Sequence, residues 1–157
     1  MASLPSTGTL CFWVRGINIQ HSFSSSDFWF DVPGYSSDRL FRARVDLVNF
    51  KLLLGDYVAL DQTLDLSTWY FVTLKWDGTN TDFYINGTLI RTAENVSVYS
   101  GQPVSWWSNN FHGAIHPYYL NKTALDLDAL AVFDTLLTNE EIGWLYNEGA
   151  GRSFADL

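Results

Sequence analysis

The segment from Trp69 to Ile90 constrains the fold more than any other part of this 157-residue chain. Trp69-Tyr70-Phe71-Val72-Thr73-Leu74-Lys75-Trp76 alternates, placing Tyr70, Val72, Leu74 and Trp76 on one face, the period-two pattern of a strand. Asp77-Gly78 turns the chain into a second strand, Thr81-Asp82-Phe83-Tyr84-Ile85. Asn86-Gly87 then supplies the positive φ values of a type I′ turn into Thr88–Thr92. A meander that carries its own turn chemistry commits the chain to antiparallel β structure.

The flanking segments agree. From Thr9 to Arg15, Leu10, Phe12 and Val14 fall on one face and Cys11 and Trp13 on the other. Both faces are largely apolar, which suits an inner strand covered on both sides. Phe28–Val32, Leu40–Leu47 and Lys51–Leu54 are shorter runs separated by Ser-, Gly- and Asp-rich turns, and Arg42 between apolar neighbours marks a half-exposed strand. Short strands at this spacing predict a sandwich or barrel rather than a parallel sheet with helices. With 47% hydrophobic residues the chain has the apolar surface for a core, and without repeats or low-complexity tracts residues 1–157 read as one domain.

Near the C-terminus the period changes. Leu125–Phe133 is strand-like, and Thr138 with Glu141 then forms a capping box. Ile142, Leu145 and Tyr146 follow at helical spacing and Gly149 supplies a stop, so the pattern predicts a helix over Thr138–Glu148, about three turns long.

Three of these segments carry a resemblance. Trp69–Gly78 followed by Phe83-Tyr84-Ile85-Asn86-Gly87 resembles the Trp-x-x-Val…Asp-Gly…Tyr-h-Asn-Gly signature (h, hydrophobic) of concanavalin A-like, laminin G-like lectin domains. Leu127–Tyr146 is similar to the closing strand, turn and helix of that superfamily, and Thr9–Val14 to its early Phe-Trp-Val strand. The resemblance implies an all-β, two-sheet antiparallel jelly-roll sandwich with one short C-terminal α-helix. Two departures stand out. Only eight residues precede Thr9 where the superfamily has a further strand and an entry loop, which implies a missing or borrowed strand. Ala124-Leu125-Asp126-Leu127-Asp128 replaces the usual Gly-x-Ile-Asp, so a calcium or ligand site near that strand does not carry over.

The residues favour binding over catalysis. Glycosidases on this jelly roll use two carboxylates facing the sugar, about 5–5.5 Å apart in retaining enzymes. Nothing here matches the Glu-x-Asp-x-x-Glu of the related glucanases, and Asp126 with Asp128 reads better as a pair that satisfies loop N–H groups or faces water. His21, His112 and His116 are scattered, Asp46, Asp56 and Asp61 form no calcium-ligand spacing, and no cofactor is expected. Cys11 is the lone cysteine and reads as a small buried hydrophobe. The sequons at Asn86, Asn95 and Asn121 read as accidental, Asn86 having a turn to form.

Tyr99–Asn121 reads as a long loop rich in ligand-type side chains. Trp106, Trp107, Tyr118 and Tyr119 offer flat apolar surface for a sugar face or a protein partner, and Asn109, Asn110 and His112 offer hydrogen bonds. The competing reading makes these aromatics core or edge residues. A formal charge of −8 argues against nucleic acid and anionic membranes as partners, and no apolar run reaches the roughly 18 residues of a membrane span. Met1-Ala2-Ser3-Leu4-Pro5 has no signal-peptide character, pointing to an excised domain or a virion protein. The expectation is a non-catalytic module that binds a glycan or a cell-surface or virion protein, displayed extracellularly or on a virion surface. The alternative is a structural subunit, such as a phage capsid decoration or fibre-associated protein, whose aromatic loop packs on a neighbour; a glycoside hydrolase ranks third. An unpaired sheet edge left by the missing strand predicts a homo-oligomer or a larger assembly.

Overall fold

The computed structural model describes residues 5–16, 26–31, 39–46, 49–54, 58–59, 64–94, 105–108 and 125–151. Among the described residues ten strands and one α-helix follow in order: β1 (Gly8–Gly16), β2 (Ser26–Asp31), β3 (Arg39–Asp46), β4 (Asn49–Leu54), β5 (Val58–Ala59), β6 (Trp69–Trp76), β7 (Thr81–Ile85), β8 (Thr88–Ala93), β9 (Ser105–Ser108), β10 (Leu125–Phe133) and α1 (Asn139–Tyr146), with a 3-10 turn at Asn147–Gly149. They form two five-stranded sheets ordered β10-β1-β6-β7-β8 and β5-β4-β3-β2-β9, antiparallel at every pairing. This is the two-sheet jelly roll with a short C-terminal helix that the sequence implies.

The turns of the first sheet explain its register. Asn86 and Gly87 hold φ of 51° and 75°, the left-handed pair of a two-residue hairpin. The Asn86 side chain also works locally: its Oδ1 accepts the Phe71 N–H at 2.9 Å while its own N–H donates to the Phe71 carbonyl at 2.8 Å. Asp77 closes the preceding turn by accepting the N–H groups of Asn80 and Thr79 at 2.7 and 2.8 Å. Those two bonds, Asn80 first, hold its carboxyl below the usual range.

Strand β1 is the inner strand that its sequence announces. Its residues pair with β6 from Gly8↔Trp76 to Arg15↔Trp69 and with β10 from Thr9↔Phe133 to Gly16↔Leu125. One face carries Leu10, Phe12 and Val14 beside Val72, Leu74, Trp76, Phe83 and Ile85, all buried, and forms the sandwich interior. The opposite face carries Cys11, Phe71 and Tyr84, buried beneath Leu137, Ile142 and Leu145 of α1 and its approach, with Trp13, Phe133 and Tyr146 packed alongside. Cys11 lies wholly inside this second layer, where burial pushes its thiol up to about 12 against a hydrogen bond with Thr73. It therefore stays a protonated, unreactive filler. Thr9 ties the ends of the chain together: its hydroxyl donates to the Thr135 carbonyl at 2.8 Å and accepts the Leu137 N–H at 3.0 Å.

Two expectations need correction. Tyr99–Asn121 is not one continuous loop, because Ser105–Ser108 forms β9 on the edge of the second sheet. The helix is also shorter than predicted, since Asn147 takes the left-handed C-cap conformation (φ 48°, ψ 50°) two residues before Gly149. Asn tolerates this region better than other residues with a side chain, so it ends the helix first.

The N-terminal capping box is present: Thr138 Oγ1 accepts the Glu141 N–H at 3.2 Å, and the Glu141 carboxylate accepts the Thr138 N–H at 2.7 Å. Leu74→Ala, which empties a wholly buried position in the interior, is expected to cost about 2–4 kcal/mol in denaturant melts. Thr138→Ala is expected to cost about 1 kcal/mol, the usual value of a lost N-cap. The Thr138 N–H bond lowers the Glu141 carboxyl pKa in the fold. The stabilisation from that bond is thus fully present above the unfolded carboxyl pKa and is lost as pH falls through the lowered folded value. Melts from pH 6 downward should show this loss in the native protein but not in Glu141→Gln, whose amide keeps the bond without titrating.

Candidate functional site

The helix-bearing face of the first sheet gathers a polar aromatic group at one end. Arg15 pairs with Trp69 on one side and Asp126 on the other, and Trp13 pairs with Phe71 and Asp128. Because paired residues share a sheet face, Trp13, Arg15, Trp69, Asp126 and Asp128 lie together. Arg15 donates through Nε to Asp126 Oδ2 at 3.0 Å and through Nη2 to the same oxygen. Its guanidinium also lies over the Trp69 ring, 4.7 Å from the centroid. The ion pair is about one-third exposed on each side, so it orients side chains more than it stabilises the fold.

A bulge shapes the next part. Cys11 faces Ala131 and Trp13 faces Asp128, so Phe12 opposes two residues, Ala129 and Leu130. Ala129 holds φ at 48°, and its N–H donates to Asp128 Oδ1 at 2.7 Å. The aspartate thus anchors the bulge while remaining exposed. Bulges of this kind bend a strand edge and re-aim its side chains.

The chain leaving α1 supplies the third wall. Asn147 and Glu148 are both left-handed, and Gly149 and Gly151 follow with φ of 93° and 66°. The Gly151 N–H donates to the Tyr146 carbonyl at 3.2 Å, and Asn147 Nδ2 donates to the Gly151 carbonyl at 3.0 Å. This curl lays bare backbone against Trp13: a Cβ at Gly151 would stand 3.3 Å from the indole Nε1. Trp13 is braced from within by Phe71 and Tyr146, at centroid distances of 5.2 and 6.0 Å.

Between these walls lies a cleft of about 330 Å³, open to solvent and lined by Trp13, Trp69, Asp128, Ala129 and Gly149-Ala150-Gly151. Two indoles, one anchored carboxylate and exposed peptide groups can hold a ligand with apolar faces and hydroxyl edges. A second cleft of about 250 Å³ lies beside Lys75, Asp77, Asn80, Asp82, Thr92 and Leu136. Its polar groups are spent on one another. Lys75 bonds Tyr84 Oη at 2.9 Å and Asp82 at 3.5 Å, and the Thr92 hydroxyl donates to Asp82 at 2.6 Å.

Of the residues singled out in the sequence, Trp106 and Trp107 lie on β9, in register with Phe30 and Trp29 of β2. Asn109, Asn110, His112, Tyr118 and Tyr119 lie outside the described residues, as do His21, His116, Asp56, Asp61, Asn95 and Asn121. Asp46 ends β3. Among the described residues no three His, Cys, Asp or Glu side chains gather as a metal site, and no helix is long and apolar enough to cross a membrane. The sequence reading missed the cleft, taking Trp13 and Trp69 only as strand residues and Gly149 only as a helix stop. The available signal was the Gly-Ala-Gly run after the helix, together with two Trp at off-interior positions of paired strands.

Two five-stranded antiparallel sheets with a short helix against one of them define a lectin-like jelly-roll fold. The chain belongs to the concanavalin A-like lectin/glucanases superfamily, whose laminin G-type profile matches residues 2–143. Among solved structures it is similar to the receptor-binding domain of botulinum neurotoxin D, with a TM-score of 0.59 at 15% identity over 95% of this chain and 39% of that one. It is also similar to a heptameric SAP-like pentraxin from Limulus polyphemus, with a TM-score of 0.54 at 19% identity over 93% and 73%. A third likeness is to the Trypanosoma rangeli sialidase, with a TM-score of 0.57 at 17% identity over 89% and 22%. At such identities the likeness is one of fold alone. The chain spans 39% and 37% of the two botulinum neurotoxin D chains. No curated protein matches it by sequence.

Proposed function

We propose that this chain is one non-catalytic recognition domain that binds a glycan or a glycosylated cell-surface or virion protein, displayed extracellularly or on a virion. The observation that carries this reading is the open cleft, where two indoles and an anchored carboxylate stand ready to bind while the neighbouring carboxylate is already committed. Asp126 is held by Arg15 and Asp128 by the Ala129 N–H. Glycoside hydrolysis needs one carboxyl to donate a proton and a second to attack or to activate water. A pair fixed in these roles suits holding a sugar better than cleaving it.

The stretch from Trp106 to Tyr119 is proposed as a wider contact surface for the rest of an extended glycan or for the protein that bears it. A structural role in a homo-oligomer or larger assembly is the second reading. It draws support from Leu89, Val132 and Leu136, large apolar side chains left 48%, 40% and 44% exposed on or beside the edge strands β8 and β10.

A glycan array with the isolated domain tests the proposal. Retention of at least one extended glycan without release of hydrolysis products is expected. Alanine at Trp106, Trp107, Tyr118 and Tyr119 should remove that retention and leave the thermal transition nearly unchanged. Turnover of a bound glycan would overturn the non-catalytic reading. An array with no retained glycan, paired with an oligomeric mass by light scattering, would favour the assembly role.

A further inference from the structure

We propose that the cleft between Trp13, Trp69 and Asp128 is a subsite for a single neutral, hexose-sized saccharide unit, and that it rejects acidic sugars. The inference rests on the reading that the ligand is a glycan and adds which class of sugar, and where.

Size sets the first limit. At about 330 Å³ the cleft lies at the small end of the roughly 300–1,000 Å³ of small-molecule sites. It has room for one ring rather than an oligosaccharide. Shape sets the second. The curl Gly149-Ala150-Gly151 has no side chain larger than a methyl, and the positive φ of both glycines keeps it so. A ring can therefore approach peptide groups on one side and indoles on the other.

Charge decides the class. Among the described residues Arg15 is the cation of this end of the sheet, but its charge is met by Asp126 and its guanidinium covers Trp69. A ligand carboxylate would have to displace Asp126 to reach it. It would also enter beside exposed Asp128, with Glu148 exposed next to Gly149. Like charges at this spacing repel. The stacking position over Trp69 is already filled by Arg15. What remains suits a polyhydroxyl ring: apolar C–H groups against the half-exposed indole surface that Arg15 leaves open, and hydroxyls donating to Asp128. Among the described residues Asp128 has one oxygen taken, Oδ1 by Ala129 N–H at 2.7 Å, so its second oxygen is the acceptor for the ligand.

Amide and indole N–H chemical shifts test this at single-residue resolution. The protein would be titrated with methyl α-mannoside, methyl β-galactoside, methyl β-glucoside and methyl N-acetyl-β-glucosaminide, then with N-acetylneuraminic acid, glucuronate and arginine amide. At least one neutral glycoside is expected to shift the indole N–H signals of Trp13 and Trp69 and the amides of Ala129 and Gly151, whereas the two acidic sugars leave them in place. Trp69→Ala should abolish the response. Asp128→Asn keeps an oxygen for the Ala129 N–H and so preserves the bulge, yet should weaken binding about tenfold or more, the scale of a lost charged hydrogen bond. Trp144→Ala, exposed on α1 and away from the cleft lining, should bind as the native protein does. Preference for an acidic sugar or for arginine amide at the cleft would overturn the proposal. Shifts confined to β9 and the residues after it would overturn the cleft assignment and leave the glycan-binding reading standing. Failure of every sugar here, together with an empty glycan array, would overturn both.

Discussion

Both faces of β1 are buried, and most of the structure follows from that. Leu10, Phe12 and Val14 must be covered by the sandwich interior, and Cys11 and Trp13 by something on the other side. Each fully buried apolar side chain contributes about 1.5–3 kcal/mol relative to an exposed one, so a strand of this composition cannot stand at an edge or face water. It needs a hydrogen-bonded neighbour on each side and a second layer over its outer face. The chain meets these needs with β6 and with its last strand, β10, and then lays α1 over the outer face. Thr9 fastens the arrangement by bonding both Thr135 and Leu137, the residues that carry the chain from β10 into the helix.

The candidate site is a by-product of that closure. Trp13, Trp69, Asp128 and Gly151 are far apart in sequence and meet only because β1 is threaded between β6 and β10 and the helix exit folds back over Trp13. Pairing over more than a hundred residues of separation carries a loop-closure cost and slows folding. The resulting site, however, stands on strands rather than on a long loop. Local backbone strain is concentrated at the same place. Ala129, Asn147 and Glu148 all hold positive φ around it, as residues that shape ligand sites tend to do.

What could be read from the sequence was local. The β6–β7–β8 meander, the Asn86-Gly87 turn and the Thr138/Glu141 capping box each draw their signal from residues within a few positions of one another, and each appears where expected. Features that depend on distant partners were not legible. Nothing in Asp128-Ala129-Leu130 announces a left-handed alanine, since the bulge exists to reconcile β10 with β1. Ser105-Trp106-Trp107-Ser108 is too short, and too closely flanked by Gly, Pro and Asn, to separate from a loop until β2 is beside it. Asp126 and Asp128 were legible as a pair that satisfies loop N–H groups or faces water, but their partners, Arg15 and a bulge N–H, were not.

Native-state hydrogen exchange tests the closure of the sheet most directly. If β1 depends on β10 and α1 as described, amides of Leu10–Val14, Phe71–Leu74 and Ala131–Phe133 should open together, with one free energy equal to that of global unfolding and the same dependence on denaturant. Exchange of β10 at a distinctly lower free energy, with β1 still protected, would contradict the account. The terminal ladder would then be an accessory to the fold, and the cleft that it builds would have no fixed wall.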